Sequence, residues 1–494
     1  MKVNYTDYLK KTDVSVLVAE AIFSELYKHE EIKSIGDIAI TSSGGTPLRN
    51  NSDYYNGDIP WLKSGELNDG CIEKAEEYIT KKGLSNSSAK LVPEGTLLLA
   101  MYGATAGKVG ITKIKTSTNQ AVCALFPKEV IKRDFLYWFL RQHRYKFIEI
   151  SKGGAQPNIS QTVIGKTQIP IPNIDVQEKI ISVLFSIQKN ATLDLNIIPN
   201  EYKDTVIKVF HTKQSVTTIE SENSHQLDLL KKLRQQILQD AVQGKLVPQD
   251  PNEEPASELL ERIKAEKEQL IREKKIKKDK PLPEIKLEEI PSEIPDSWVW
   301  CRLGEICFKI TDGFHNTPPK ISTGVPYISA THVKSEKIDW KNCDYVEEDY
   351  HRELFNKAYP KKGELLVVNI GAGCGTPAII DIDYEFSFKN TAILKFNQEL
   401  ICNGFLFYYF LLSRGSIYNT LTKGGLQPFL SLNILNEIIL PLPPIIEQKL
   451  IVSKINQLMS LCDELEQSIQ QNQKYTQELL QVALKEALEP KRKY

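Results

Sequence analysis

None of the eight cysteines stands in a C-x-x-C pair, and the nearest two, Cys301 and Cys307, lack metal-ligand spacing. The seven histidines are dispersed and no H-E-x-x-H occurs, which argues against a zinc hydrolase. Scattered thiols of this kind belong to a reducing compartment. No charge of one sign dominates: the formal net charge is −1. Bulk electrostatics therefore announces no nucleic acid, and local patches must decide. No apolar run approaches the roughly 20 residues of a membrane span. The opening "MKVNYTDYLKKTDVSVLVAEAIF" has no signal-peptide core. A cytoplasmic chain without a membrane partner is expected. Its 494 residues leave room for two to four domains.

What is present includes "MYGATAGKVGIT", Met101 to Thr112, which at first resembles a phosphate-binding loop. That loop requires Gly, four residues, Gly-Lys and then Ser or Thr, at a strand-to-helix turn. Here three residues separate Gly103 from Gly107, and Val109 follows Lys108. The continuation "VGITKIKTSTNQAVCALF" is β-branched and reads as strand. Without a helix, no N-terminal amides are available to hold a phosphate. A tight glycine turn between two strands is the better description.

The chain repeats itself. "GGAQPNISQTVIGKTQIPIPNIDVQEKIISVL" from Gly153 matches "GGLQPFLSLNILNEIILPLPPIIEQKLIVSKI" from Gly424. In that register Gln156, Pro157, Ser160, Pro170, Pro172, Gln177 and Ile180 all have identical partners. Upstream, "SIGDIAITSSGGTP" parallels "RLGEICFKITDGFHNTP", and "IPWLKSGEL" parallels "VPYISATHV". "VPEGTLLLAMYGATAGKVGI" parallels "YPKKGELLVVNIGAGCGTPAII", so Gly103 and Gly107 fall opposite Gly371, Gly373 and Gly375. Each copy reads as an α+β, strand-rich domain with one aromatic helix, near Phe135 or Phe405.

Helical texture follows each P-x-P. Ile451, Ile455, Leu458, Cys462, Leu465 and Ile469 alternate steps of four and three, a heptad seam, and Leu479 continues its register. Ile180, Leu184, Ile187 and Ala191 begin the same pattern, which fades at Asp194 and breaks at Pro199. A further helix runs from about Leu227, with Leu230, Leu233, Ile237 and Ala241 on one face. "ASELLERIKAEKEQLIREKKIKKDK" is a charged helix whose lysine run, Lys274 to Lys280, reads as solvated surface before it reads as a phosphate site. The expected layout is two similar domains separated by long antiparallel coiled-coil helices. Helices of about 20–25 residues span roughly 30–38 Å, near one turn of B-DNA.

These features together resemble the specificity subunit of Type I restriction–modification systems, over about residues 30 to 490. The resemblance is carried by the duplicated "GG-x-Q-P…S…P-x-P…Q" block, the "IGD" and "LGE" starts, "LRQQILQDAVQGKLVPQDPNEEPASELLERIKAEK" and "IPDSWVWCRLGEI". It implies a target recognition domain 31–175 and a central conserved helical region 176–290 with its linker, which residues 193–226 interrupt as an insert that departs from the family; residues 1–30, outside the match, are expected as an N-terminal helical segment. A second recognition domain 291–445 and a conserved helix 446–494 follow. The insert is expected as a loop beside the coiled coil.

The resemblance also implies a non-catalytic subunit that reads double-stranded DNA in two halves. It docks two modification subunits, which bind S-adenosylmethionine and methylate adenine N6, and restriction subunits, which use ATP and Mg. No D/N/S-P-P-Y/F/W motif appears, since "TPPK" at Thr317 and "LPPI" at Leu442 lack the aromatic that stacks on a flipped base. No cofactor, metal or catalytic residue is expected in this chain.

Base reading needs Arg, Lys, Asn, Gln or Ser, and phosphate contacts need Lys, Arg or backbone amides. On the glycine turns and polar loops the candidates are Thr46, Lys63, Ser64, Tyr102, Lys108, Lys152 and Gln156 in the first copy. In the second they are His315, Lys334, Asn369, Lys389, Lys423 and Gln427. For each, a solvated or turn-capping side chain is the plain alternative. Gln156 and Gln427 precede prolines and read better as pins of the turn. Tyr137-Trp138-Phe139 and Tyr408-Tyr409-Phe410 read as helix core. Two rival functions stay open: an enzyme holding a nucleotide on the glycine turns, and a helical scaffold joining two protein-binding heads.

Overall fold

The structure is a computed structural model that describes residues 12–150, 158–190, 192–194, 196, 198, 200–314, 317–334, 337–421 and 428–488. The chain divides into two compact units, Met1–Ser224 with Gln470–Tyr494, and His225–Ile469. Each is α+β. No helix among the described residues is long and apolar enough to cross a membrane.

In the first unit the strands are β1 (Ile32–Ser34), β2 (Ala39–Ser43), β3 (Tyr55–Leu62), β4 (Gly70–Ile72), β5 (Glu77–Ile79), β6 (Leu91–Val92), β7 (Leu97–Ala100), β8 (Val109–Thr112), β9 (Thr116–Thr118), β10 (Val122–Pro127) and β11 (Gln168–Pro170). The main sheet has the order β2-β10-β7-β8-β4, the second β5-β3-β9-β6, and β1 pairs with β11. The helices are α1 (Val14–His29), α2 (Arg133–Ile150), α3 (Ile174–Asn190) and the start of α4 (Asn200–Val242). Alternation along β7 explains its wholly apolar sequence. Leu97 and Leu99 join a core with α1, α2 and α3, whereas Leu98 and Ala100 pack with Leu62, Ile72 and Val92 on the other face.

The second unit repeats this plan. Its strands are β12 (Val299–Arg302), β13 (Lys309–Asp312), β14 (Val325–Ser329), β15 (Val333–Lys334), β16 (Lys337–Ile338), β17 (Asp344–Val346), β18 (Leu365–Val368), β19 (Pro377–Ile379), β20 (Ser387–Lys389), β21 (Thr391–Lys395) and β22 (Ile439–Leu442). The order β13-β21-β18-β19 reproduces β2-β10-β7-β8, and β12-β22 reproduces β1-β11. β14 pairs antiparallel with β17 and parallel with β20, as β3 does with β5 and β9. The helices are α5 (Ala256–Arg272), α6 (Glu348–Ala358), α7 (Asn403–Leu421) and α8 (Ile445–Leu488), the last of which ends in the first unit.

Two sequence expectations change here. The loop expected over 193–226 is helical from Asn200, continuous with the helix expected at Leu227. Tyr202, Val206, Val209, Phe210 and Val216 form its buried face, at helical spacing that the intervening Thr, Ser and Glu conceal. Leu233, Leu465 and Leu479 are exposed rather than seam residues. In the second unit the seam is Leu230, Ile237 and Ala241 against Ile451, Ile455 and Cys462. Arg234 lies beside Asp463 at 2.6 Å and Gln249 beside Glu447 at 2.6 Å, so the two segments run antiparallel. In the first unit Leu480 joins the core that holds Val206 and Val209. The aromatic triplet of α2 is buried throughout, and in α7 Phe410 is buried while Tyr408 and Tyr409 are half-buried. Within the expected N-terminal segment, α1 is helical and packs on α2 and α3.

Candidate nucleic-acid interface

The glycine stretch of the first unit joins two antiparallel strands, β7 and β8, with no helix after it. Gly103 and Gly107 have φ of 78° and 80°, backbone that favours glycine. The Gly107 N–H donates to the Ala100 carbonyl at 2.8 Å, and the Ala100 N–H donates to the Lys108 carbonyl at 2.8 Å. In the second unit the Gly375 N–H donates to Val368 at 2.8 Å, and the Val368 N–H donates to Thr376 at 2.9 Å. The two turns are one structure built twice. In each, the segment after the GG-x-Q-P block adds a bond: Ile159 donates to the Met101 carbonyl and Leu430 to the Asn369 carbonyl, both at 2.8 Å.

Each turn is tied to a short hub. In the first unit the Gly45 N–H donates to Thr118 at 2.9 Å, the Asn119 N–H to Leu62 at 2.9 Å and the Met101 N–H to Ala121 at 2.8 Å. Three polar loops distant in sequence thereby meet on residues 118–121. In the second unit Phe314 donates to Phe388 at 3.0 Å, Ser329 lies beside Lys389 in register, and Asn369 donates to Asn390 at 3.1 Å.

The hub gathers several candidates. The Thr46 hydroxyl donates to the Gln120 side chain. Ser64 opens a single helical turn beside Lys63. The Lys63 ammonium donates to Glu77 at 2.9 Å and lies 3.4 Å from Glu76, and the bond to Glu77 raises its pKa. Glu77 also pairs with Arg49 at 2.7 Å, whose guanidinium lies over the Trp61 ring at 4.8 Å. Tyr102 is half-buried and bridges to Asn158. Lys108, half-exposed on the turn, has no ion pair among the described residues.

In the second unit the Lys389 ammonium donates to the Thr317 hydroxyl. Asn369 was expected on an accessible turn. It is 3 % exposed, and its Oδ1 has no partner among the described residues, so its side chain sits under the turn instead of at its surface. Lys334 lies apart, on the β15–β16 hairpin, paired with Asp339 at 3.2 Å. Lys152, Gln156, His315, Lys423 and Gln427 lie outside the described residues. The lysine run contributes Lys277, Lys278 and Lys280 to a cavity of about 800 Å³, shared with Lys264, Lys267 and four acidic residues.

Sequence reasoning missed the brace behind the first turn. The Arg144 Nε donates to the Gly107 carbonyl at 3.0 Å, and its Nη2 pairs with Asp69. Asp69 in turn accepts from the Val109 N–H at 3.0 Å, and its carbonyl accepts from the Tyr137 hydroxyl. The aromatic helix is thus core on one side and brace on the other. No local motif marks a pair so far apart in sequence, and each residue sits in a polar, charged stretch where nothing singles it out.

Both turns carry positive-φ glycines that let another molecule approach the backbone closely, and the first adds Lys108, a cation with no ion pair among the described residues; both are means of contacting a polyanion. Comparison with known proteins bears on it. The profile of the Type I restriction modification DNA specificity domain matches residues 27–201 and 295–474. The specificity subunit of the Type I restriction enzyme EcoAI from Escherichia coli is 30 % identical over 69 % of this chain and 61 % of its own length, less than two thirds of that relative. The MjaIX specificity subunit of Methanocaldococcus jannaschii is 25 % identical over 91 % of this chain and 89 % of its own. A solved HsdS subunit from Thermoanaerobacter tengcongensis aligns over 93 % of this chain and 96 % of its own, at 15 % identity and a TM-score of 0.42.

Proposed function

Because this chain belongs to the Type I restriction–modification DNA specificity family, we propose that each of its two units reads one half of a divided DNA sequence. The observation that carries this reading is the glycine turn with its hub, present in both units with matching hydrogen bonds. Two equivalent polar surfaces on one chain suit two separated short sites. The subunit itself performs no chemistry. It directs modification subunits, which bind S-adenosylmethionine, to an adenine N6 in each half, and restriction subunits, which use ATP and Mg, to unmodified DNA. The setting is the cytoplasm.

The long helices support the partner part of this reading. In the second unit Leu229, Leu233, Ile446, Leu450, Leu461 and Leu465 are exposed on the α4 and α8 helices. Apolar residues at helical spacing on an exposed face mark a surface for another protein.

A domain exchange tests the proposal. Residues 31–175 are replaced by those of a relative with a different target, in the full chain with its modification partner. Adenine methylation is then mapped. One half of the methylated motif changes and the other stays; a motif altered in both halves, or in neither, contradicts the reading.

A further inference from the structure

The two glycine turns share their backbone and differ in where their free cation comes from. In the first unit Lys108 stands on the turn itself and has no ion pair among the described residues. The arginine that the aromatic helix places behind that turn, Arg144, is held by Asp69 and by the Gly107 carbonyl. In the second unit the hydrogen bonding puts Thr376, 5 % exposed and uncharged, in the place of Lys108. The α7 helix brings Arg414 to Gly375 as α2 brings Arg144 to Gly107: a Cβ on Gly375 would lie 3.5 Å from the Arg414 Cα and 3.6 Å from its Cγ. Arg414 is exposed and makes no ion pair or hydrogen bond among the described residues. The cation has moved from turn to helix, and among the described residues an unpaired positive charge borders the same backbone in each unit.

We infer that Arg414 is a DNA phosphate contact of the second unit, doing there what Lys108 does in the first. The inference rests on the DNA-reading function proposed above. A guanidinium offers five donors in a planar fork that matches phosphate oxygens, and an exposed, unpaired one loses no existing partner on binding. Arg144 lacks that freedom, because releasing it would leave Asp69 and the Gly107 carbonyl without it. The exchange also explains why the residue opposite Lys108 is uncharged while the turn geometry is kept. A phosphate contact carries no sequence information of its own, so its loss is felt alike on cognate and unrelated duplexes.

The test uses the full chain assembled with its modification partner, and duplexes that carry either the methylated motif or a scrambled one. Arg414→Ala leaves the melting temperature unchanged, since the residue is exposed. It lowers affinity for both duplexes about tenfold and reduces the slope of log affinity against log salt by about one. Arg414→Lys, which keeps a cation at the same exposed site, leaves the slope close to that of the unmutated chain. Wild-type affinity and slope in Arg414→Ala overturn the inference, as does a slope that falls as far in Arg414→Lys as in Arg414→Ala. The unmutated complex tests the underlying reading separately: failure to prefer the motif over the scrambled duplex sinks DNA reading itself, whereas preference with an unaffected Arg414→Ala sinks the phosphate contact alone.

Discussion

The Nε of Arg144 lies 3.0 Å from the carbonyl of Gly107 and donates to it, tying the aromatic helix to the first glycine turn across 37 residues of chain. The contact is close enough that a methyl group at position 107 would sit 2.8 Å from the Arg144 Cγ. Gly103, on the same turn, has open space around its missing Cβ.

The pair separates backbone strain from crowding. Both glycines have positive φ, so an alanine at either costs about 1–2 kcal/mol in backbone strain. Gly103→Ala is expected to show that loss alone in urea unfolding. Gly107→Ala is expected to lose more, because Arg144 must give way and Asp69 loses its partner's geometry. Equal losses for the two variants would show that the brace is not under load.

The exposed leucines of α8 predict a separation of folding from assembly. Leu461 and Leu465 are 49 % and 52 % exposed, so replacing both with serine should change stability by less than about 0.5 kcal/mol. Association with the modification partner, measured by co-purification and by analytical ultracentrifugation, should weaken strongly. Unchanged association would place the partner on another surface.

His143 predicts sensitivity to acid. It is buried between Phe139 and Phe147, and desolvation pushes its pKa down to about 3 from an ordinary 6.5. A group depressed in the folded state contributes stability that is fully present above its unfolded value and is lost as pH falls towards its folded value. Unfolding of the first unit should therefore become easier from about pH 6.5 downward, with close to one proton taken up. His143→Leu, similar in its apolar neighbourhood, should flatten that dependence when unfolding is followed at pH 7 and pH 5. An identical pH profile in the variant would mean that the histidine is not buried neutral.

Much of the fold was legible in the sequence because the repeat exposes it. Gln156 and Gln427 set a register in which the glycines of one copy explain those of the other, and the missing helix after Gly107 follows from β-branched residues alone. The α4 helix was harder. Its buried Tyr202, Val206 and Val209 are set among residues of weak helix propensity, and the core they face comes from helices distant in sequence. Leu465 and Leu479 fit a heptad written on paper, but the packed face passes through Cys462, Ile469 and Leu480. The site was legible only in part. Residue type and turn position single out Lys108 as a candidate, while the pairing of Arg144 depends on where Asp69 lies, which local sequence does not encode.

The central claim is tested most directly by modified-base sequencing of genomic DNA from cells with and without this gene, its modification partner present in both. The account predicts a divided adenine-methylated motif that appears only with the gene. A methylation pattern identical in the two strains, with both proteins soluble and assembled, would contradict it and favour a scaffold that binds proteins and not DNA.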